Sequence, residues 1–220
     1  MNKKPALKFC GFLAEADVVK AVHLDIDAIG FILVPGRKRS IKKEMLPNLV
    51  RKVPERVWTV GVLQNPSIQE IEEWLSLAPL TAIQLHGGET PEFCREVKKA
   101  FGVRVIKTFH VANRIDGGDR LAQFSPWIDV ALLDTGTGKT SGGSGQSFDW
   151  NQIPPFYEQC RMLGVPLWVA GGLNALNVTS LIKRYRLDGV DVSSGIEADG
   201  RKNADLMAQF VERVKSCENR

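Results

Sequence analysis

Two polar residues stand at the ends of apolar runs and can do acid–base chemistry. Cys10 ends the run Leu7-Lys8-Phe9-Cys10, and Asp134 ends the run 130–134. A cysteine serves as a base or nucleophile when it has thiolate character and access, although most free cysteines are buried structural thiols. A carboxyl group after an apolar strand must face an open mouth or be paired, because burying it alone is costly. Cys10 is therefore a candidate base or nucleophile, and Asp134 is a candidate catalytic acid.

Three further side chains follow apolar runs and have the chemistry to bind a substrate. His86 lies in the segment Gln84-Leu85-His86-Gly87-Gly88-Glu89 and suits a ligand, an acid or a hydrogen-bonding wall. His110 has a similar position without the glycines. Arg39 follows the second apolar run, and its forked guanidinium group can clamp a carboxylate. The alternative for Arg39 is a solvated basic loop.

Small residues end two later apolar runs, at Gly171-Gly172 and at Ser193-Ser194-Gly195. Glycine and serine leave backbone N–H groups open to an anion. In a (β/α)8 barrel, the loops after strands 7 and 8 and a short helix N-terminus bind phosphate in this way. A simple turn at Gly171-Gly172 is the alternative, but two such ends in a repeating pattern favour a phosphate site.

Another small-residue segment, Gly136-Thr137-Gly138-Lys139-Thr140, imitates part of a nucleotide-binding P-loop. The full motif needs a further glycine at the position that Leu133 occupies, and Leu133 belongs to an apolar run. The segment 135–147 is long and follows Asp134, which is typical of a loop that closes over a site. We therefore predict a lid here rather than a P-loop.

Strand and helix patterns alternate along the whole chain, and together they position these residues. The predicted strands are 7–10, 28–33, 57–63, 82–86, 104–109, 130–134, 167–170 and 189–193. The predicted helices are 14–23, 42–52 with Pro47 at a break or early turn, one capped by Ser67 and Glu70, one capped by Thr90 with Pro91, 118–124, 150–163, one starting near Asn174, and 204–215. Eight short apolar strands separated by helices predict an α/β fold, a single (β/α)8 TIM barrel spanning residues 1–220. A doubly wound open sheet would need fewer units.

Composition narrows the class of partner. The chain has 220 residues, of which 44% are hydrophobic and 25% charged, as expected for one globular domain. Its net charge is +4, and the basic run Arg37-Lys38-Arg39 is short. A nucleic-acid partner is therefore not indicated, whereas a small anionic substrate is compatible with the charge.

The cysteines and the hydropathy pattern predict a compartment. Four cysteines occur, at Cys10, Cys94, Cys160 and Cys217, and their spacing matches no zinc or CxxC motif. We expect free thiols in a reducing environment and no bound metal. No apolar run approaches the length needed to span a membrane. The expectation is a soluble, cytoplasmic protein.

The motifs also occur in a recognisable order. They are Lys8-Phe9-Cys10-Gly11, Gly30-Phe31-Ile32 with Arg39, Val60-Gly61-Val62, Gln84-Leu85-His86-Gly87, Leu133-Asp134, Gly142-Gly143-Ser144-Gly145 with Phe148-Asp149-Trp150, Ala170-Gly171-Gly172-Leu173, and Gly189 to Glu197. Over nearly the whole chain this set resembles the phosphoribosylanthranilate isomerase family of tryptophan biosynthesis. The chain departs from the usual pattern at Phe9, where isoleucine or valine is common, at Ser144, where threonine is common, and in a long sixth loop.

The resemblance implies an Amadori rearrangement of an aminoaldose to an aminoketose, with Asp134 as general acid and Cys10 as general base. It implies that Arg39 holds the anthranilate carboxylate. The implied substrate-binding residues are Arg39, His86, Gly143, Gly145, Gly171, Gly172, Ser193, Ser194 and Gly195. No metal or organic cofactor is implied, and the expected partner is a small phosphorylated molecule. The sequence leaves monomer and homodimer both open.

Three other functions remain to be weighed. The related histidine-pathway isomerase performs the same rearrangement but uses paired aspartates at strands 1 and 6, and Cys10 argues against it. A non-catalytic phosphosugar-binding barrel could dispense with Cys10 and Asp134, yet both are present. A P-loop nucleotide switch is disfavoured by Leu133.

Overall fold

The computed structural model describes residues 4–110, 118–134 and 150–217. The strands are β1 (Ala6–Cys10), β2 (Ala28–Ile32), β3 (Trp58–Leu63), β4 (Ala82–Leu85), β5 (Arg104–His110), β6 (Val130–Asp134), β7 (Leu167–Val169), β8 (Gly189–Val192), β9 (Glu197–Ala198) and β10 (Arg201–Lys202). The helices are α1 (Glu15–Val22), α2 (Leu46–Val50), α3 (Ile68–Leu77), α4 (Pro91–Phe101), α5 (Gly118–Phe124), α6 (Ile153–Met162), α7 (Val178–Arg184) and α8 (Ala204–Lys215).

Strands β1 to β8 pair in parallel with their sequence neighbours, and β8 pairs with β1 to close the barrel. The predicted TIM barrel is therefore confirmed. Because side chains alternate across a strand, each strand contributes one set of residues to the barrel interior and the other to the layer beneath the helices. Two hydrophobic clusters correspond to these layers.

An aromatic pair fills the N-terminal end of the barrel interior. The rings of Trp58 and Trp168 stack with their centroids 5.8 Å apart, and the Arg104 guanidinium lies 4.5 Å from the centroid of Trp58. Gly189, at the start of β8, leaves room for the Trp168 ring, since a Cβ atom there would lie 2.5 Å from it. This end of the barrel is thus packed, and the opposite end is left for chemistry.

Local capping signals explain where several helices begin. Ser67 and Glu70 form the predicted capping box at the start of α3. Thr90 accepts a hydrogen bond from the Phe93 N–H, and Pro91 occupies the first turn of α4. In the segment 42–52 the structure has a short 3-10 turn at Lys43–Met45 before α2, with Pro47 in the first helical turn. A second 3-10 turn, Trp150–Gln152, precedes α6.

The structure differs from the sequence expectation after β7. The helix begins at Val178 and not near Asn174. The Asn174 side-chain oxygen accepts hydrogen bonds from the N–H groups of Leu176 and Asn177. This local turn competes with helix formation, as asparagine commonly does.

A second difference follows β8, where the sequence pattern assigned no element before the last helix and the structure has a two-stranded hairpin of β9 and β10. Its turn residues, Asp199 and Gly200, have positive φ angles of 51° and 76°. Asp-Gly in this conformation is a favoured two-residue hairpin turn, so the signal was present in the sequence and was overlooked.

The predicted lid at 135–147 lies outside the described residues. Within the described residues, no helix is long and apolar enough to cross a membrane. All four cysteines are free, as the sequence predicted, and all four are also buried.

We expect Gly189→Ala to destabilise the protein by about 1–3 kcal/mol, because the added methyl group overlaps the Trp168 ring and forces the core to shift. Urea unfolding measures the loss, and near-UV circular dichroism reports the tryptophan stack. Gly88→Ala is the matched control, since the nearest atom to its new Cβ is 3.8 Å away. Equal stability of the two variants would contradict the close packing described here between Gly189 and the Trp168 ring.

Candidate active site

The candidate residues meet at the C-terminal mouth of the barrel, where the active sites of this fold lie. Cys10 ends β1 and Asp134 ends β6. Arg39 follows β2, His86 follows β4, and Ser193 follows β8. Residues far apart in sequence are thereby brought to one rim.

Cys10 is held between neighbouring strand ends. Its side chain is 7% exposed and belongs to the cluster inside the barrel. Its carbonyl oxygen accepts a hydrogen bond from the Ser193 hydroxyl at 3.1 Å. The next residue, Gly11, has a φ of 80°, and a Cβ atom there would lie 2.6 Å from the Arg39 side chain. The glycine therefore lets the loops after β1, β2 and β8 approach one another closely.

An ion pair that the sequence analysis missed lies beneath Cys10. Lys8 is fully buried, and its Nζ lies 2.9 Å from Asp191 Oδ2. Lys8 and Cys10 are two residues apart on β1, so both side chains face the barrel interior. The alternation of side chains along β1 could have indicated that Lys8 shares a face with Cys10. In the sequence, however, Lys8 looked only like an interruption of an apolar run.

Opposing influences act on the Cys10 thiol. Burial raises the pKa of Cys10 above that of a free thiol, and Asp191 acts in the same direction. The ammonium groups of Lys8 and Lys202 lower it, Lys8 more strongly, but burial outweighs them and the net shift of the pKa is upward. Burial by itself would lower the pKa of Lys8, but its interactions with the Asp191 carboxylate and, to a smaller extent, with Cys10 outweigh burial, and the net shift is upward. Lys8 therefore stays protonated at neutral pH.

Asp134, at the end of β6, faces a histidine that follows β4, two strands away in the barrel. His86 Nε2 lies 3.6 Å from Asp134 Oδ2, a separation longer than a hydrogen bond. His86 Nδ1 lies 3.1 Å from Thr108 Oγ1 and 3.3 Å from Gln84 Nε2. These two contacts fix the ring so that Nε2 points toward Asp134.

The His86 imidazole is neutral at physiological pH. Burial, with smaller contributions from His110, Lys8 and Lys107, lowers the pKa of His86 to about 4, although the Asp134 carboxylate opposes the shift. A neutral imidazole beside Asp134 does not form an ion pair with it. His86 therefore presents an uncharged polar ring to Asp134 at this pH.

A buried network supports the loop that carries His86. Lys107 Nζ donates to Glu89 Oε2 at 2.8 Å and to the Gly87 carbonyl at 2.8 Å. Glu89 Oε1 accepts from the Asn65 N–H at 2.7 Å. The loops after β3 and β4 are thus tied to one pair of charges. A cavity beside His86 is lined by Asn65, Gly88, Thr108, His110 and Arg120.

Arg39 is oriented by a carboxylate that the sequence analysis did not single out. Its Nε and Nη2 atoms donate to Glu197 at 2.6 and 2.7 Å. Lys202 Nζ donates to the same carboxylate at 2.8 Å and to the Ser193 carbonyl at 2.9 Å. Although burial acts to raise it, the pKa of Glu197 is lowered by hydrogen bonds from Arg39 and Lys202. The Nη1 group of Arg39 takes no part in this pair.

The predicted phosphate loops lie against each other. Gly171 and Gly172 have φ angles of 97° and 64°, which favour glycine. Gly195 forms a bridge with Asn174, and a Cβ atom on Gly195 would lie 1.9 Å from the Leu173 carbonyl oxygen. The small-residue segments that follow β7 and β8 therefore lie next to each other on the rim. The other predicted phosphate contacts, Gly143 and Gly145, lie outside the described residues.

Metal chemistry has no obvious site in the part of the chain that the structure describes. Among those residues, no group of three or more histidine, cysteine, aspartate or glutamate side chains is arranged to hold an ion.

The chain is similar to one known protein family along most of its length. A family model for N-(5'phosphoribosyl)anthranilate (PRA) isomerase matches residues 7–213. The chain belongs to the phosphoribosylanthranilate isomerase family. An N-(5'-phosphoribosyl)anthranilate isomerase from Brevibacillus brevis is 37% identical over 212 residues, covering 96% of this chain and 94% of the relative.

Solved structures of the family share the barrel. The phosphoribosyl anthranilate isomerase of Thermotoga maritima superposes with a TM-score of 0.84 at 36% identity, covering 97% of this chain and 100% of that one. A family crystal structure in complex with reduced 1-(o-carboxyphenylamino)-1-deoxyribulose 5-phosphate gives a TM-score of 0.81 at 33% identity, with the same coverage. The chain is thus similar to its structural relatives from end to end.

We predict that His86 titrates near pH 4 in the folded protein, because burial disfavours the imidazolium ion. Histidine ring NMR signals followed against pH measure the midpoint. Asp134→Asn should lower the midpoint further, since the carboxylate favours the charged ring. A midpoint at the ordinary histidine value, about 6.5, would contradict the buried environment described here.

Proposed function

We propose that this chain converts N-(5-phosphoribosyl)anthranilate to 1-(2-carboxyphenylamino)-1-deoxyribulose 5-phosphate by an Amadori rearrangement. The observation that carries the proposal is a thiol and a carboxyl group on one barrel rim, at the ends of β1 and β6. Asp191 lies between them electrostatically, since its charge raises the pKa of Cys10 and the Asp134 charge raises its own pKa. Membership of the isomerase family supports the same reaction.

The first step is ring opening, with Asp134 as general acid. Its carboxyl proton passes to the ribose ring oxygen while the C1′–O bond breaks. The nitrogen lone pair of the substrate forms the new C=N bond of a Schiff base. An acid is needed because the departing oxygen would otherwise leave as an alkoxide.

The second step is proton removal, with Cys10 as general base. The thiolate takes the proton from C2′, and the electron pair of that bond moves toward the iminium nitrogen to give an enolamine. Tautomerisation then yields the ketone. The substrate nitrogen accepts the electrons, so these steps require no metal or organic cofactor.

Binding groups surround this acid–base pair. Arg39, held by Glu197, offers its Nη1 group to the anthranilate carboxylate. His86 forms a neutral polar wall. The substrate phosphate binds the backbone N–H groups of Gly171-Gly172 and of Ser193-Ser194-Gly195, with Gly143 and Gly145 assisting. The left-handed glycines and the contact between the two loops support this assignment.

Two further properties of the enzyme concern its compartment and its oligomeric state. Four free thiols are in keeping with a reducing cytoplasm. A dimeric Thermotoga maritima relative has been converted to monomers. Monomer and homodimer stay open for this chain.

Cys10→Ala and Asp134→Asn should each lower turnover on the order of 100- to 10,000-fold, the usual loss for a general base or acid. Both should keep affinity for a reduced product analogue, because neither variant removes a group that holds phosphate or carboxylate. The disappearance of substrate fluorescence measures turnover, and calorimetry measures binding. Cys160→Ala, a change at a buried thiol on α6, is the control and should retain turnover. Near-normal activity of Cys10→Ala would refute the base role.

Ser194→Asp should weaken substrate binding strongly, because it adds a negative charge beside the bound phosphate. Ser194 is exposed, so a larger side chain at this position does not disturb the packing of the protein. Ser194→Asn has the same shape without the charge and should bind the substrate nearly as well as the parent. Competition by inorganic phosphate provides a second readout, and it should be lost in the aspartate variant. Equal affinity of the two variants for the substrate would show that the phosphate does not bind beside Ser194.

A further inference from the structure

The ion pair of Lys8 and Asp191 is not used by the acid–base steps described above. Lys8 is fully buried inside the barrel, and the neighbouring interior cluster is composed of apolar side chains such as Val60, Ala82 and Ile106. Burying a charged lysine is costly even when it is paired, and a hydrophobic pair of similar volume is often as stable. The position of this charge therefore suggests a purpose beyond stability.

The space beside Gly30 shows that the Lys8 ammonium group lies close to the Cys10 sulfur. A Cβ atom on Gly30 would lie 2.8 Å from Cys10 Sγ and 3.2 Å from Lys8 Nζ. The sulfur and the ammonium group therefore border the same small space, which the missing side chain leaves open. Their separation is at most about 6 Å, within the range at which an opposite charge favours ionisation.

The other charged groups near Cys10 are engaged elsewhere or act in the opposite sense. Asp191, on β8, disfavours a thiolate, but it is bound to Lys8. Lys202, on β10, and Arg39, in the loop after β2, are both bound to Glu197. Lys8 is the largest of the influences that favour the thiolate.

We propose that Lys8 is a positioning residue whose ammonium group, held by Asp191, stabilises the Cys10 thiolate that acts as the base. This inference rests on the proposed role of Cys10. The proton taken from C2′ goes to sulfur, and Lys8 keeps its own protons throughout. Once the sulfur is protonated, Asp191 still balances the lysine charge. Asp191 therefore keeps the ammonium group in place between turnovers.

Thiolate absorbance near 240 nm, followed against pH, tests the proposal without requiring turnover. The signal of each protein minus that of its Cys10→Ser counterpart isolates Cys10 from the other thiols and from tyrosine. Lys8→Met should raise the Cys10 midpoint by a pH unit or more, which is at least a tenfold loss of thiolate at a fixed pH below the midpoint. The midpoint of the base in the kcat profile should rise by a similar amount.

A second variant controls for the carboxylate that Lys8→Met leaves unpaired in the interior. Lys8→Met combined with Asp191→Asn removes both charges, and circular dichroism checks that it folds. Its Cys10 midpoint should still exceed that of the parent. An unchanged midpoint in the folded double variant would overturn the proposal. A raised thiol midpoint with an unchanged kcat profile would instead refute the base role of Cys10, and with it the catalytic use of Lys8.

Discussion

The pairing of β1 with β8 is the contact on which the candidate site depends. It aligns Ala6 with Gly189 and Phe9 with Val192, so the ends of the chain share one sheet. The same closure brings Lys8 within 2.9 Å of Asp191, although 183 positions separate them in sequence. Closing such a distant contact costs chain entropy, and the barrel compensates by burying the apolar faces of all eight strands.

Charge pairs organise the rim that closure creates. One pair lies inside the barrel beneath Cys10, and another joins Lys107 to Glu89. At a third place, Glu197 forms ion pairs with both Arg39 and Lys202. Each connects elements that are separate in sequence. Separating a buried charge from its partner costs free energy, so these interactions hold the loops in fixed positions relative to one another. Such preorganised groups suit a reaction in which charge moves between an acid and a base.

Small residues matter at the rim because they let backbones and side chains approach closely. Gly30 leaves space between Lys8 and Cys10, and Gly195 lies against the Leu173 carbonyl. At the opposite end, the stacked rings of Trp58 and Trp168 have the reverse effect, since they fill space inside the barrel. The candidate residues Cys10 and Asp134 lie at the other end, where β1 and β6 finish.

The sequence by itself determined the alternation of strands and helices, the caps at Ser67 and Thr90, and the strand ends that carry Cys10 and Asp134. These features depend on local periodicity and backbone hydrogen bonding. The hairpin after β8 was also readable from Asp199-Gly200, but it was overlooked. Only the tertiary structure decided that Lys8 faces Asp191 and that Glu197 orients Arg39. Those pairs arise from barrel closure, and the energy of a buried charge depends on partners that no local pattern specifies.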